Sequence, residues 1–258
     1  MNLHNRNKNK IFLLEEIIKK NFAARYKESV LGIFWSILKP LLIMIILTII
    51  FSTLFGRAIE NYPVYLLSGK IIYDFFNSGT TIAMNSIKSN QNILQKTAAP
   101  KYVFVIGSVI SESLNFLITL IILIVVMIVT KAPFHIETIP LAIIPLLFLI
   151  AMITGIGSIL SILCVYYTDI KHLWSVVTMM LMYGCAIFYP MDIIPEPYHQ
   201  YMILNPIFWV IDQFRDLAVY GVFPNALNMI NAFILSMIIL IFGVIVFNKF
   251  EKRITLKF

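Results

Sequence analysis

Six stretches of about twenty apolar residues, joined by short polar connections, dominate this 258-residue chain. They run at about 34–55, 64–83, 103–130, 140–167, 173–189 and 226–248. A bilayer core about 30 Å thick takes about 20 residues of helix to cross. Backbone N–H and C=O groups find no water there, so a crossing segment must be a helix or part of a closed barrel. The runs lack the apolar–polar alternation of barrel strands. The expected fold is an all-α integral membrane protein with six transmembrane helices. Residues 1–33 form a cytoplasmic N-terminal segment and residues 34–258 one six-span domain. Composition agrees: 60% of residues are hydrophobic and 13% charged, against about 45–50% and about 25% in soluble domains.

Lysine and arginine collect on the cytoplasmic side of membrane proteins. With the N-terminus inside, sixteen of the twenty fall on that side. Only Arg57, Lys131 and Arg215 fall outside, and Lys70 lies within a span. The expected localisation is the plasma (inner) membrane, multi-pass, with both termini cytoplasmic. A net charge of +7 would suit nucleic acid, but segments this apolar form no basic groove, so nucleic acid is not an expected partner. The polar, basic start (residues 1–10) has no apolar stretch behind it and does not read as a cleaved signal peptide. Between Lys10 and Lys27, Ile11, Leu14, Ile18, Phe22 and Tyr26 share a helical face opposite Glu16, Lys20 and Lys27. That pattern predicts an amphipathic helix in the cytoplasmic headgroup layer. Arg25 falls inside its apolar arc.

Recognisable enzyme signatures are missing. The single Gly-Lys pair, Gly69-Lys70, is followed by Ile71 and is no phosphate loop. His4, His135, His172 and His199 are scattered, and Cys164 and Cys185 sit inside apolar runs, so no metal site is expected. Ala151, Gly155, Gly157, Ser158 and Ser161 are small enough to let another helix approach closely. Lys70, Asp74 and Glu112 are charged residues within spans, and such groups are costly in lipid. Lys70 and Asp74, four apart, can pair on one face, either satisfying each other or meeting a substrate. Glu112 reads as a helix–helix hydrogen bond, with Asn115 one turn on. Residues 85–101 form the one substantial polar connection between spans on the cytoplasmic side. Ile93 and Leu94 at its centre suit either a short helix docking into a partner's groove or a solvated loop with a leucine touching the headgroups.

Residues 189–215 are too broken by Pro190, Pro195, Pro197 and Pro206 for one helix and too polar to cross lipid. Asn205-Pro206 is a helix start, cap followed by first-position proline. Two short helices, about 197–204 and 206–220, predict an extracellular re-entrant hairpin between the fifth and sixth spans. A plain interfacial anchor centred on Trp209 also fits.

Several motifs resemble a known family. Arg25-Tyr-Lys-Glu-Ser-Val-Leu-Gly-Ile-Phe-Trp-Ser-Ile-Leu-Lys-Pro40 is similar to the approach to the first span in ABC-2-type polysaccharide and polyol-phosphate exporter permeases. So are Phe188-Tyr-Pro190, Ile194-Pro195-Glu, Leu204-Asn-Pro206, Phe214-Arg215 and Tyr167-Thr-Asp169-Ile-Lys-His172, in order and at matching spacing. Thr168 stands where arginine is common, and Lys70 where the family usually has an apolar residue. The resemblance implies a homodimer of six-span subunits, bound to two copies of an ATP-binding subunit that carries ATP and Mg. It implies outward movement of a lipid-linked polysaccharide: O-antigen, capsule or teichoic acid. Catalysis and cofactors are then expected on the partner, none on this chain. The implied ATPase contact is Asn90, Gln91, Asn92, Ile93, Leu94, Gln95 and Lys96. The implied outer gate is Pro190, Pro195, Asn205, Pro206, Asp212 and Arg215; by their spacing, Arg215 can pair with Asp212 or Asp216. Sugars stack on aromatic faces, so Phe34, Trp35, Tyr73, Phe76, Tyr183, Phe188, Tyr189 and Trp209 are the expected glycan path. A permease for a drug or small lipid, and a membrane-embedded lipid-modifying enzyme, are the rival readings.

Overall fold

The computed structural model describes residues 3–26, 32, 34–55, 59–97 and 99–254, with the side chains of 3–9, 53–55 and 252 excepted. Parts of the 25–40 motif (27–31 and 33), Ala98 of the 85–101 segment, and Arg57 and Lys257 lie outside the described residues, as does the end of the expected amphipathic helix at Lys27. The described residues are helical and contain no strand. The helices are α1 (Leu3–Tyr26), α2 (Phe34–Phe55), α3 (Tyr62–Ser89), α4 (Gln91–Lys96), α5 (Tyr102–Val129), α6 (Ile143–Tyr166), α7 (Ile170–Tyr183), α8 (Glu196–Ile203), α9 (Pro206–Arg215) and α10 (Ala226–Ile254). Among the described residues four segments are long and apolar enough to cross a membrane: Phe34–Ser52, Tyr102–Val129, Ile139–Tyr166 and Ala226–Glu251. At 28 residues α3 matches α5 in length but carries a polar face. At 14 residues α7 is only about 21 Å long at 1.5 Å per residue.

Two expectations are corrected here. The fifth apolar run does not stay helical to Tyr189: α7 ends at Tyr183 and residues 184–189 form turns, with Ala186 in the left-handed region at φ 48°. The 85–101 connection starts later than expected, and it holds a short helix, one of the two readings open for it. Its first five residues are the last turns of α3, and Asn90 makes the corner into α4.

The core is built on α3, which packs against α5 on one side and α6 on the other; α6 in turn packs against α10. The α6–α10 contact needs missing side chains. A Cβ on Gly155 would lie 2.5 Å from the Ile239 carbonyl oxygen, and one on Gly243 would lie 2.2 Å from the Gly155 oxygen. Close backbone approach of this kind replaces the hydrophobic drive that lipid does not supply. Helix α1 seats the line Leu14, Ile17 and Asn21 along the first half of α5. Ile17 is buried, and Asn21 donates to Ser108 Oγ at 3.2 Å. Leu14 is the edge of the expected apolar arc and Ile17 and Asn21 lie just beyond it, so the packed face is turned away from Ile11 and Phe12, which stay exposed. Lys20 donates to Asn90 Oδ1 at 2.7 Å, tying α1 to the α3–α4 corner. Helices α2 and α7 lean on α3 from its α5 and α6 sides.

Candidate functional site

Between Val64 and Ile87, α3 is buried except at Lys70, Asp74, Asn77, Ser78, Thr81, Ile82 and Asn85. Lys70, Asp74, Asn77, Thr81 and Asn85 recur at four- and three-residue steps, so they form one ridge along the helix. Helix α3 is thus mainly apolar where protein covers it, with Ser68, Thr80 and Ser86 as buried exceptions that bond within the helix, and polar on the strip that α2 and α7 flank. Lys70 pairs with Asp74 along the ridge. Ser78 turns aside to donate to Glu112 Oε1 at 2.7 Å.

A cavity lies on each side of the ridge. One, about 570 Å³, runs between α2, α3 and α5 and includes Arg25, Trp35, Lys39 and Asn115. The other, about 460 Å³, runs between α3 and α7 and includes Tyr73, Lys171, Trp174 and Met182. Lys70, Asp74 and Asn77 line both, so the two cavities are halves of one groove. The floor of the first half is an internal ion pair. Arg25 Nη2 sits 2.7 Å from Glu112 Oε2, and Tyr26 donates to Asn115 Oδ1 at 2.6 Å while sharing a hydrogen bond with Ser36. Arg25 interrupts the apolar arc of α1 because its partner is on α5. The second half is walled by α7, held to α3 through Trp174 Nε1 donating to Thr80 Oγ1 at 3.1 Å and through Tyr73, whose hydroxyl donates to the Thr178 carbonyl.

At the end of the bundle that carries α8 and α9, the groove is closed. Phe188 stacks on Phe51 of α2 at 5.9 Å and leans on Tyr183 of α7 at 6.2 Å, bridging the two walls. Phe188 belongs to the 184–189 turn, whose carbonyls cannot pair within a helix. Side chains serve them instead. Tyr62 donates to the Phe188 oxygen at 2.8 Å, and Tyr65 to those of Ala186 (2.9 Å) and Tyr189 (2.8 Å). Asn205 donates to Leu181 and Gly184 and also caps α9, accepting from Ile207 N at 3.1 Å. Arg215 donates from Nη1 to Ala186 O (2.9 Å) and from Nη2 to Tyr65 O (3.0 Å) and Ile187 O (3.3 Å). Its guanidinium lies 3.5 Å over the Tyr65 ring. Gly69 makes room for it, since a Cβ there would stand 2.5 Å from Nη2.

This corrects the pairing expected for Arg215. Among the described residues it makes no salt bridge to Asp212 or Asp216; its partners are two backbone carbonyls of the turn and that of Tyr65 on α3. Asp216 is half-buried, and burial, with Asp212 nearby, pushes its carboxyl up to about 6. Pro190 lies in extended backbone, and Pro195 and Pro206 open α8 and α9. Trp209 bridges α9 to α8 by donating to Ile203 O at 2.8 Å.

The other expected residues scatter. Phe34, Trp35 and Tyr183 are exposed, while Phe76 and Tyr73 are buried against Trp174 and Thr178. Tyr189 donates to the Tyr183 carbonyl. On α4, Leu94 is buried within its own subunit and Asn90 is spent on α1 and α3. Gln91 and Ile93 are half-buried, and Asn92, Gln95 and Lys96 are exposed. Sequence reasoning missed Tyr62, Tyr65, Gly69, Asn77 and Thr81. Asn77 and Thr81 carried a readable signal, lying seven and eleven residues beyond Lys70.

Residues 13–219 match the ABC-2 type transporter family. The O-antigen export system permease protein RfbA of Klebsiella pneumoniae is 31% identical over 244 residues, 93% of each chain. The polysialic acid transport protein KpsM of Escherichia coli is 22% identical over 241 residues, again 93% of each. The O-antigen export system permease protein RfbA of Myxococcus xanthus is 23% identical over 219 residues, 83% of each.

Proposed function

The chain belongs to the ABC-2 type transporter family, and from that premise we propose that it is the membrane subunit of an ATP-driven exporter moving a lipid-linked polysaccharide outward. The observation that carries this reading is the ridge of α3. A glycan is rich in hydroxyls and needs hydrogen-bonding groups along its whole path. Lys70, Asp74, Asn77, Thr81 and Asn85 supply them in line along a helix whose other faces are buried. The names of the relatives, O-antigen and polysialic acid, point to the same class of cargo.

In this reading α3 and α7 join the four long apolar helices to make six spans, with α3 turning its ridge to the groove. The end carrying α1 and α4 is cytoplasmic, because lysine and arginine concentrate there. Helices α8 and α9 form a re-entrant hairpin in the outer leaflet, which is tolerable because side chains satisfy the turn. Two subunits face groove to groove and enclose the path. ATP-binding subunits dock against the exposed residues of α1 and α4, and their closure is passed through Arg25–Glu112 to α3. Phe188 is then the outer plug.

The test is reconstitution of the chain with its ATP-binding partner in vesicles loaded with lipid-linked polysaccharide. ATP-dependent appearance of polymer on the far face, read by an added glycosidase, is expected. Hydrolysis with no polymer movement, in an assembled complex, would overturn the reading. Orientation has its own check: a cysteine at Glu196 should react with impermeant thiol reagent on intact cells, and one at Asn92 only after permeabilisation.

A further inference from the structure

The half of the groove beside α2 differs from the half beside α7, and the difference lies along α2 itself. Trp35, Lys39, Leu42, Ile46 and Ile49 fall within an arc of about 100° at 100° per residue, and all five are exposed. Read from the α1 end, the strip is aromatic, then cationic, then apolar. Lys39 stands about 6 Å beyond Trp35 along the axis, and about 15 Å of apolar face follows to Ile49 at 1.5 Å per residue. Trp35 and Lys39 line the 570 Å³ cavity together with Ser36, Asn77 and Arg25. Pro40 sits inside α2 and has no N–H, so the Ser36 carbonyl is left free of its helical partner on the cavity wall.

The charges single out one residue. Arg25 is held by Glu112 and Lys70 by Asp74. Among the described residues no carboxylate reaches Lys39. Three cations and two carboxylates line this cavity, and Lys39 is the positive charge in excess. A cation beside lipid is costly unless it is paired or wetted, and a phosphate oxygen is a strong partner for it.

We propose that this cleft is the docking site for the headgroup of a glycosylated lipid phosphate, the carrier of the polymer. Lys39 binds the phosphate, Trp35 stacks on the first sugar, and the Leu42–Ile46–Ile49 face beds the hydrocarbon tail. The inference rests on the exporter reading and deepens it by assigning where the carrier is held. All three parts of the strip are needed to choose the ligand. An ordinary phospholipid offers phosphate and tail but nothing for Trp35 to stack on. A free sugar leaves the apolar face uncovered.

The test uses the full-length protein in detergent or nanodiscs and measures binding by native mass spectrometry. The probes are a polyprenyl diphosphate sugar, the sugar-free polyprenyl diphosphate, the matching polyprenol, and phosphatidylglycerol. The diphosphate sugar should bind about tenfold more tightly than the polyprenol. Lys39→Ala should abolish the preference for the sugar-free diphosphate over the polyprenol and Lys39→Arg keep it. Trp35→Ala should lose only the difference between sugar-bearing and sugar-free diphosphate. A monodisperse Lys39→Ala protein that binds like wild type, or a Lys39 that merely reaches water, would overturn the site. So would phosphatidylglycerol competing equally, which would mark an ordinary lipid contact. Spontaneous cross-linking of Ile46→Cys to a second copy, with lipid excluded, would make the strip a subunit seam and also overturn it. Lipid binding needs neither ATP nor polymer. Its failure alongside normal export removes only this site, and failed export with normal lipid binding removes only the exporter reading.

Discussion

Replacing Arg215 by alanine should undock the turn that carries Phe188, and the size of the effect can be worked from its contacts. Three carbonyls accept from the guanidinium. The Ala186 oxygen keeps Tyr65 as a second donor, and the Tyr65 oxygen keeps the Ser68 hydroxyl. Ile187 O, at 3.3 Å from Nη2, has no other described donor. An orphaned buried acceptor costs roughly 1–3 kcal/mol, and the contact with the Tyr65 ring is worth about 1–2 kcal/mol when desolvated. Against this, the variant escapes the burial of a charge whose Nε finds no partner. The net is roughly 3 kcal/mol, or about 100-fold in the ratio of undocked to docked turn at about 1.4 kcal/mol per tenfold. Cys185 lies in this turn and is fully buried, while Cys164 is fully buried in α6, so the chain carries its own reporter and control. Modification of Cys185 by a small thiol reagent should accelerate about 100-fold in Arg215→Ala, with Cys164 unchanged. Gly69→Ala should act in the same direction by displacing the guanidinium. Asp212→Asn should have little effect, since Asp212 makes no described salt bridge to Arg215. A Cys185 rate within about threefold of wild type in Arg215→Ala would refute the argument, as would Asp212→Asn matching Arg215→Ala, which would restore an ion-pair account.

Other consequences are open to direct measurement. Phe188→Ala removes the bridge between Phe51 and Tyr183 and should make reconstituted vesicles leak a small ion or dye, while Phe76→Leu, inside the core, should not. Leu94→Asp places a charge in a buried site and should cost roughly 3 kcal/mol or more, seen as loss of folded protein. Lys96→Glu, on the exposed side of α4, should leave melting unchanged but weaken stimulation of the partner ATPase. Asp216 has its carboxyl raised to about 6 in the docked hairpin, so docking favours the protonated form. Hydrogen exchange in α9, corrected for intrinsic rate, should therefore slow as pH falls from about 7.5 to 5; Asp216→Asn should weaken that dependence, and the remainder should be carried by Asp212, whose carboxyl burial also raises.

Some of this architecture was legible because it depends on neighbours in sequence or on the solvent. Apolar runs of spanning length must become helices, since lipid offers the backbone no other partner. Prolines at 190, 195, 197 and 206 forbid a continuous helix, and Asn205-Pro206 announces the start of α9 by a local hydrogen bond that the structure contains. The i,i+4 pair of Lys70 and Asp74 is local in the same sense. The rest hangs on contacts between residues far apart in the chain. Arg215 lies three and one residues from two aspartates, so spacing favoured them; the fold instead brings it to Tyr65, 150 residues away, and to a turn whose unpaired carbonyls compete better for its protons. Arg25 and Glu112, 87 residues apart, meet because α1 runs along α5. Leu94 reads as an exposed docking residue until α4 folds back and buries it. Composition says that α3 has a polar face, but only the placement of α2 and α7 on either side makes that face a groove, because whether a side chain is buried is decided by which helix covers it.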